Sequence, residues 1–337
     1  MDWQNQLHGD SVGWLLESAE PNLRYLALRD LLDRPADDAD LLKERAAAHA
    51  QGPIATILDA AAPEGHWCEP GPGYLPKYRA SVWSISLLAQ LGAHVDGDER
   101  IRRACDSLLA QALTEQGQFT STGTPSGTVD CLQGNLCWAL PVLGYDDPRL
   151  ADAFEWMART VTGEGLASRH ERDKTPRYYA GQCGPDFACG ANNFLPCAWG
   201  AAKVMLAFGV WPEERRTPLI ERAIQRGVDF LFSVEPAGAA YPSGYAAKPS
   251  GNWWKFGFPV FYVTDILQLA EALCGLGLAH DTRLSETLHL IRSKQDAAGR
   301  WPLEYGYAGK TWVDFGAKKQ ANPWVTLRAL RVLKAAA

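Results

Sequence analysis

Apolar positions along this chain fall mostly at steps of three and four, the spacing that lines one face of a half-buried helix. Near the C-terminus, Leu284, Leu288 and Ile291 keep that step, and Val325, Leu327, Leu330 and Leu333 form a second apolar face, so two helices flank residues 295–322. At the other end, residues 12–32 read as two helices broken at Glu20-Pro21-Asn22, since proline is tolerated in a first helical turn. Residues 37–50 form a polar, Ala-rich helix, and 53–61 a further segment. Between these ends, amphipathic stretches at 98–113, 147–161 and 213–232 alternate with nearly all-apolar ones at 78–91, 131–143, 195–208 and 258–276. The amphipathic stretches predict helices with one wet face, and the apolar ones predict helices covered on all sides. The pattern therefore predicts an all-α chain of about a dozen helices in alternating outer and inner pairs.

The joints repeat as well. Gln295-Asp-Ala-Ala-Gly299-Arg-Trp301 places a glycine two residues before a large ring, where a left-handed backbone lets the ring fold back over a helix end. Gly65-His66-Trp67 and Gly117-Gln-Phe119 share the pattern, and Gly163-Glu-Gly165-Leu166 and Gly238-Ala-Ala-Tyr241 carry weaker versions. Most of these glycines are about 50 to 60 residues apart, the length of a helical hairpin with an elaborated loop, which marks an internal repeat. Such hairpins close into an (α/α) toroid around a central cavity, with an open solenoid as the alternative. One unit over residues 1–337, capped by the helices of residues 1–50, follows from the repeat.

Of the 337 residues 47% are hydrophobic, and 13 Trp, 11 Tyr and 11 Phe suffice for a large core and an aromatic-lined cavity. The net charge of −6 gives no electrostatic reason to expect nucleic acid as a partner. The N-terminus has neither a basic start nor an apolar run, and no stretch is long enough to span a membrane, so a cytoplasmic protein is expected. In a reducing compartment, eight cysteines are read as metal ligands, catalytic thiols or buried free thiols rather than disulfides.

The Gln-x-x-x-Gly-x-Trp turn at 295–301 resembles the repeat of the terpenoid cyclase and protein prenyltransferase superfamily. Asn22-Leu-Arg24-Tyr25, Pro76-Lys77-Tyr78, Asp130-Cys131-Leu-x-Gly134-Asn135, Cys197-x-Trp199-Gly200-x-x-Lys203, Lys255-Phe256-Gly257-Phe258-Pro259 and Gly299-Arg300-Trp301-x-Leu303-Glu304 together resemble bacterial prenyltransferase/squalene-oxidase-repeat proteins. The resemblance implies an α/α barrel with an apolar cavity, as in enzymes that handle isoprenoid chains. It does not extend to the catalytic motifs. The nearest approach to an Asp-x-Asp-Asp acid is Asp96-Gly-Asp98-Glu99, where Asp98 suits a helix cap, and no Asp-Asp-x-x-Asp diphosphate motif occurs.

In a toroid each such turn delivers the chain to the start of an inner helix, so residues at those starts converge on one mouth. The candidates for acid, base or nucleophile are Asp130, Cys131, His170, Tyr178 and Asp265. Asp265 is placed one turn into an apolar helix, where it serves either as an acid/base group or as a hydrogen-bonded partner of Lys255 or Tyr262. The candidates for substrate contact are Tyr78, Trp83, Tyr179, Trp199, Trp253, Trp254, Phe258 and Tyr262, whose ring faces suit flat apolar or cationic groups; anchoring of loops is the competing use. Cys131, Cys183, Cys189 and Cys197 are the candidate zinc ligands, with inert burial or thiol catalysis as the alternatives. Protein prenyltransferases hold zinc with Asp, Cys and His, which the resemblance extends only by residue type to Asp130, Cys131 and Cys189 or Cys197. Glu304 and Lys310 are expected to pair. The expected activity is lyase, isomerase or transferase chemistry, acid/base or zinc-assisted, on a small apolar isoprenoid or aromatic substrate; a non-catalytic hydrophobic-ligand or protein-binding scaffold is the alternative.

Overall fold

The computed structural model describes residues 3–167, 178–179 and 181–337. Its helices in chain order are α1 (Ser11–Leu16), α2 (Pro21–Asp30), α3 (Ala39–Ala50), α4 (Gly52–Asp59), α5 (Ser81–Gln90), α6 (Glu99–Ala112), α7 (Asp130–Val142), α8 (Arg149–Thr162), α9 (Ala198–Val210), α10 (Pro218–Leu231), α11 (Ile266–Gly275), α12 (Ser285–Ser293) and α13 (Pro323–Ala335). Strand structure among the described residues is confined to two-residue pieces. Of these, β1 (Leu166–Ala167) pairs in parallel with β2 (Tyr178–Tyr179), and β3 (Cys183–Gly184) pairs antiparallel with β4 (Ala188–Cys189).

The even alternation of apolar and amphipathic stretches becomes two concentric rings. Helices α5, α7, α9, α11 and α13 pack side by side in order, and α13 returns to α2. The amide of Asn22 in α2 reaches across to the Leu91 carbonyl at the end of α5, 3.2 Å away, and the inner ring is closed. The fold is thus an (α/α) toroid rather than an open solenoid. Helix α2 does not sit over the barrel as a cap; it takes the sixth inner place. Helices α6, α8, α10 and α12 form the outer layer, each with one buried stripe, and α1, α3 and α4 complete it beside α2.

The Gly-x-aromatic joints share one geometry. In the turns ending at Trp67, Phe119 and Trp301, the N–H five residues before the ring donates to the carbonyl one residue before it, at 2.8–2.9 Å. The ring residue's own N–H then bonds a side chain of the following inner helix: Ser81 for Trp67, Gln133 for Phe119 and Thr326 for Trp301. Both indoles also donate 2.7 Å to the carbonyl ten residues earlier, and the Tyr241 hydroxyl does the same at 2.6 Å. Each joint therefore pins an outer helix end, a turn and an inner helix start. At Gly299, φ is +75° and an added Cβ would lie 2.5 Å from the Ser11 hydroxyl, so a side chain there meets both strain and a clash.

Two inner helices are shorter than their apolar stretches. Helix α5 begins at Ser81 instead of 78, and α11 at Ile266 instead of 258. Pro259 has no N–H to offer a helix, and residues 256–264 dip into the lumen instead. There, Val260 exchanges both backbone hydrogen bonds with the Gln90 amide at 2.8 and 2.9 Å. Phe261 is fully buried among Tyr78, Trp83 and Tyr307. An apolar run without a helical backbone is here a plug.

Arg328 of α13 holds that plug. Its guanidinium donates to Asp265 at 2.9 Å twice, to Glu271 at 2.9 and 2.7 Å, and to the Gly257 carbonyl at 2.7 Å, so all five N–H groups are used in the buried interior. Asp265 does not stand inside a helix: it caps α11 through the Gln268 N–H and also accepts from the Gly257 N–H. Glu304 pairs with Lys294 at 2.6 Å, not with Lys310 as expected, because its loop turns back toward the end of α12.

Replacing Arg328 with Met leaves two buried carboxyls without their cation, and unfolding in denaturant is expected to show a loss of about 3–5 kcal/mol. Arg328→Lys keeps the charge but not the planar fork, and should recover only part of that loss. A change under about 1 kcal/mol for Arg328→Met would contradict this account.

Candidate functional site

The starts of α7 and α9 lie together because α7 and α9 make the closest helix pair in the ring. An added Cβ on Gly134 of α7 would stand 2.6 Å from the Lys203 backbone of α9, so only glycine permits this approach. As a result Cys131, in the first turn of α7, and Cys197, the residue that caps α9, come to one wall of a cavity of about 530 Å³. Cys189, at the end of β4, joins them. Lys77, Tyr74 and Tyr262 close one side, and Trp199, Tyr241 and Trp253 the other.

The thiols differ sharply in environment. Cys189 turns its thiol on the Cys197 sulfur, which also faces the N–H groups of Gly200 and Trp199 without closing a capping hydrogen bond; Lys203 adds a positive charge behind. Against the cost of burial, these hold the Cys197 thiol down at about 6. The hydrogen bond to Cys197 correspondingly raises Cys189. Burial pushes Cys131 up to about 12 although Lys203 opposes it. The wall thus holds one ionisable thiol among protonated ones.

Behind it lie two buried groups of opposite kind. Burial pushes the Asp130 carboxyl up to about 7, with the Cys183 thiol leaning on it, and its Oδ1 has no hydrogen-bond partner among the described residues. Lys203 is fully buried, bonded to the Thr264 hydroxyl and to Gln268 at 3.1 Å, and burial lowers its amine. A lysine in the otherwise apolar run Ala198–Val210 is the signal in the sequence for this group. The Tyr262 hydroxyl, on the cavity wall, is likewise buried and without a partner among the described residues.

Of the residues singled out by sequence, Cys131, Cys189, Cys197, Trp199, Trp253 and Tyr262 line this cavity. Cys183 stands behind it, its thiol 3.8 Å from the Thr128 carbonyl. Tyr78 and Trp83 belong to the ring cluster around Phe261 below, where Trp83 is almost wholly buried and donates to the Tyr74 carbonyl at 2.7 Å. Trp254 anchors its loop to the Ala237 carbonyl at 2.8 Å. Phe258 lies flat on Trp324, centroids 4.8 Å apart, and lines a second cavity of about 500 Å³ at the other end of the lumen with Asn135, Arg328 and Glu271. Asp265 is taken by Arg328 and the α11 cap, which removes it from the acid/base candidates. Tyr178 and Tyr179 pair their backbones with Leu166 and Ala167; their side chains, and His170 altogether, lie outside the described residues.

Zinc was expected from the cysteine pattern. Among the described residues no three or more His, Cys, Asp or Glu side chains are grouped to hold a metal ion. Cys183 is turned toward Asp130 and Thr128 instead of toward Cys189 and Cys197. The side chains as placed do not fit a zinc centre. No helix is long and apolar enough to cross a membrane among the described residues.

No family model matches the sequence, and no curated protein does. Among solved structures, the chain is similar to the unsaturated glucuronyl hydrolase, responsible for the degradation of glycosaminoglycan, of Bacillus sp. GL1, with 16% identity and a TM-score of 0.49 over 98% of this chain and 86% of that one. It is also similar to the type II terpene cyclase MstE of Scytonema, with 14% identity and a TM-score of 0.45 over 98% of this chain and 97% of that one.

Proposed function

We propose that this protein is an enzyme that binds a small apolar substrate, isoprenoid or aromatic, in the mouth cavity and acts on it by thiol and acid/base chemistry of the lyase, isomerase or transferase kind. One observation carries the reading: Cys197, held as a thiolate near neutral pH, opens into an aromatic-walled cavity beside the buried Tyr262 hydroxyl, which has no hydrogen-bond partner among the described residues. A binding scaffold needs rings but has no use for an ionised thiol. Cys197 serves as nucleophile or base. Tyr262 donates to charge that develops on the substrate, in a site where water competes poorly. Asp130, pushed up to about 7 and so divided between its protonated and ionised forms at neutral pH, lies in the field of Cys197 and is a proton store behind the wall rather than a contact group. The rings of Tyr74, Trp199 and Trp253 give the substrate its apolar seat.

The direction with pH follows from Cys197. Its thiol lies below the ordinary value of 9.0, so the thiolate population grows as pH rises through about 6 and is lost as pH falls below it. Alkylation of Cys197 by iodoacetamide, followed by peptide mapping, should therefore be half-maximal near pH 6, with Cys131 and Cys189 slow until far higher pH. A midpoint near 9 would remove the nucleophile from the proposal.

Activity is sought with isoprenoid and aromatic compounds, first as ligands that raise the unfolding temperature and then by product analysis. Cys197→Ala should abolish turnover, and Tyr262→Phe should lower kcat by about 100-fold, the order expected for one lost transition-state donor. Ligand binding without turnover in any case would favour the scaffold. About one zinc per chain in protein purified without chelator, lost in both Cys131→Ser and Cys197→Ser, would replace the thiol reading with a metal centre.

A further inference from the structure

Two cysteines of one short ladder, Cys189 and Cys197, line the wall of the mouth cavity. The chain between them folds back on itself: β4 ends at Cys189, whose N–H bonds the Leu195 carbonyl at 3.2 Å, and the Cys197 N–H bonds the Phe187 carbonyl at 2.9 Å. Ala188 and Pro196 bridge in the antiparallel sense. Cys189 lies opposite Leu195 in this register, so Cys189 and Cys197 are diagonal neighbours across the small ladder. Both Cys189 and Cys197 line the cavity, with the Cys189 thiol beside the Cys197 sulfur. Cys131 and Cys183 approach the same place from α7 and β3, but Cys183 stands behind the wall.

We propose that Cys189 and Cys197 form a dithiol–disulfide couple that reduces small apolar hydroperoxides, with Cys189 as the resolving thiol. The inference rests on the reading of Cys197 as the reactive thiol and adds an electron balance to it. The Cys197 thiolate attacks the terminal oxygen of the hydroperoxide; an S–O bond forms, the O–O bond breaks, and the departing alkoxide, hydrogen-bonded by the Tyr262 hydroxyl, takes its proton from water. Cys197 is then a sulfenic acid. The Cys189 sulfur attacks it; the S–S bond forms, the S–O bond breaks, and water leaves with the Cys189 proton. The two electrons come from the sulfurs, and an external dithiol returns them. The rings of Tyr74, Trp199 and Trp253 select an oxidant with an apolar body over hydrogen peroxide.

The test treats the full chain with one equivalent of cumene hydroperoxide. It is expected to lose two of its eight free thiols and two mass units, and cleavage at Phe194 should leave the two halves of the loop joined by a bond between Cys189 and Cys197. In Cys189→Ser a dimedone adduct should persist on Cys197, while Cys131→Ser should still form the bond. Cumene hydroperoxide should react about tenfold faster than hydrogen peroxide, since only the former fills the apolar seat. A bond from Cys197 to Cys131, a bond from Cys183 to Cys189, or a lasting sulfenic acid in the unaltered protein would overturn the assignment of Cys189; equal rates with both peroxides would overturn the apolar substrate. Rapid alkylation of Cys197 without any disulfide would end this inference alone, whereas failure of that alkylation would end the proposed function with it. The mapping on unaltered protein stands even where a variant does not fold.

Discussion

A single guanidinium, buried between two carboxyls and a carbonyl, is the constraint on which the interior of this toroid depends. Arg328 spends all five N–H groups on Asp265, Glu271 and Gly257, and these three belong to the α11 cap, the α11 body and the base of the plug. A buried ion cluster of this kind contributes little net stability compared with an interior in which all three charged partners are apolar, although removing one partner alone is costly. What it supplies is register, because a planar fork accepts its partners in one geometry only. Burial pushes the Glu271 carboxyl up, and the Arg328 charge works against that, so the partners are bound to one another's presence. Helices α11 and α13 and the plug are thereby tied to one another.

The site follows from that arrangement. With residues 256–264 held in the lumen, the hole through the ring is divided: Phe258 and Val260 face one cavity and Tyr262 the other. The thiol cavity thus has a floor, made of side chains that would otherwise have belonged to a longer inner helix. Its wall comes from the close approach of α7 and α9, which brings two helix starts together and aims their free N–H groups at sulfur. Three cysteines line it, with Cys183 behind, in very different electrostatic surroundings, and the difference arises from what stands beside each one. Cys197 has a thiol, two backbone N–H groups and an ammonium nearby, whereas Cys131 and Cys183 are dominated by burial.

Much of this was legible in the chain. The three-and-four spacing and the alternation of apolar and amphipathic stretches determine the helices and their division into inner and outer layers, because both depend on which faces each segment can leave in water. The Gly-x-aromatic joints are equally local: a left-handed glycine and a ring two residues on suffice to predict the turn, and all three strong examples adopt it. Asp98 was legible as a cap for the same reason, and its carboxylate accepts from the Arg100 N–H at 2.8 Å. Convergence of Cys131 and Cys197 could be foreseen once inner helix starts were known to share one mouth.

Other features needed the tertiary structure. Residues 258–265 carry the apolarity of an inner helix, but whether such a run coils or enters a lumen depends on partners as distant as Gln90 and Arg328. Helix α2 shows nothing in its own sequence that distinguishes a cap from a ring member; only the return of α13 to its side places it. Glu304 had two lysines within reach along the chain, and the fold of its loop chose Lys294. The chemistry of each cysteine is the clearest case. A sequence states that a thiol is present, but ionisation is set by the field of groups that burial brings to within a few ångströms, and none of those distances is written in the spacing of residues along the chain. The sequence by itself determined the helices, their layering and their joints, since these are short-range consequences of side-chain shape and polarity; closure, plug and charge were decided by contacts between segments far apart in the chain.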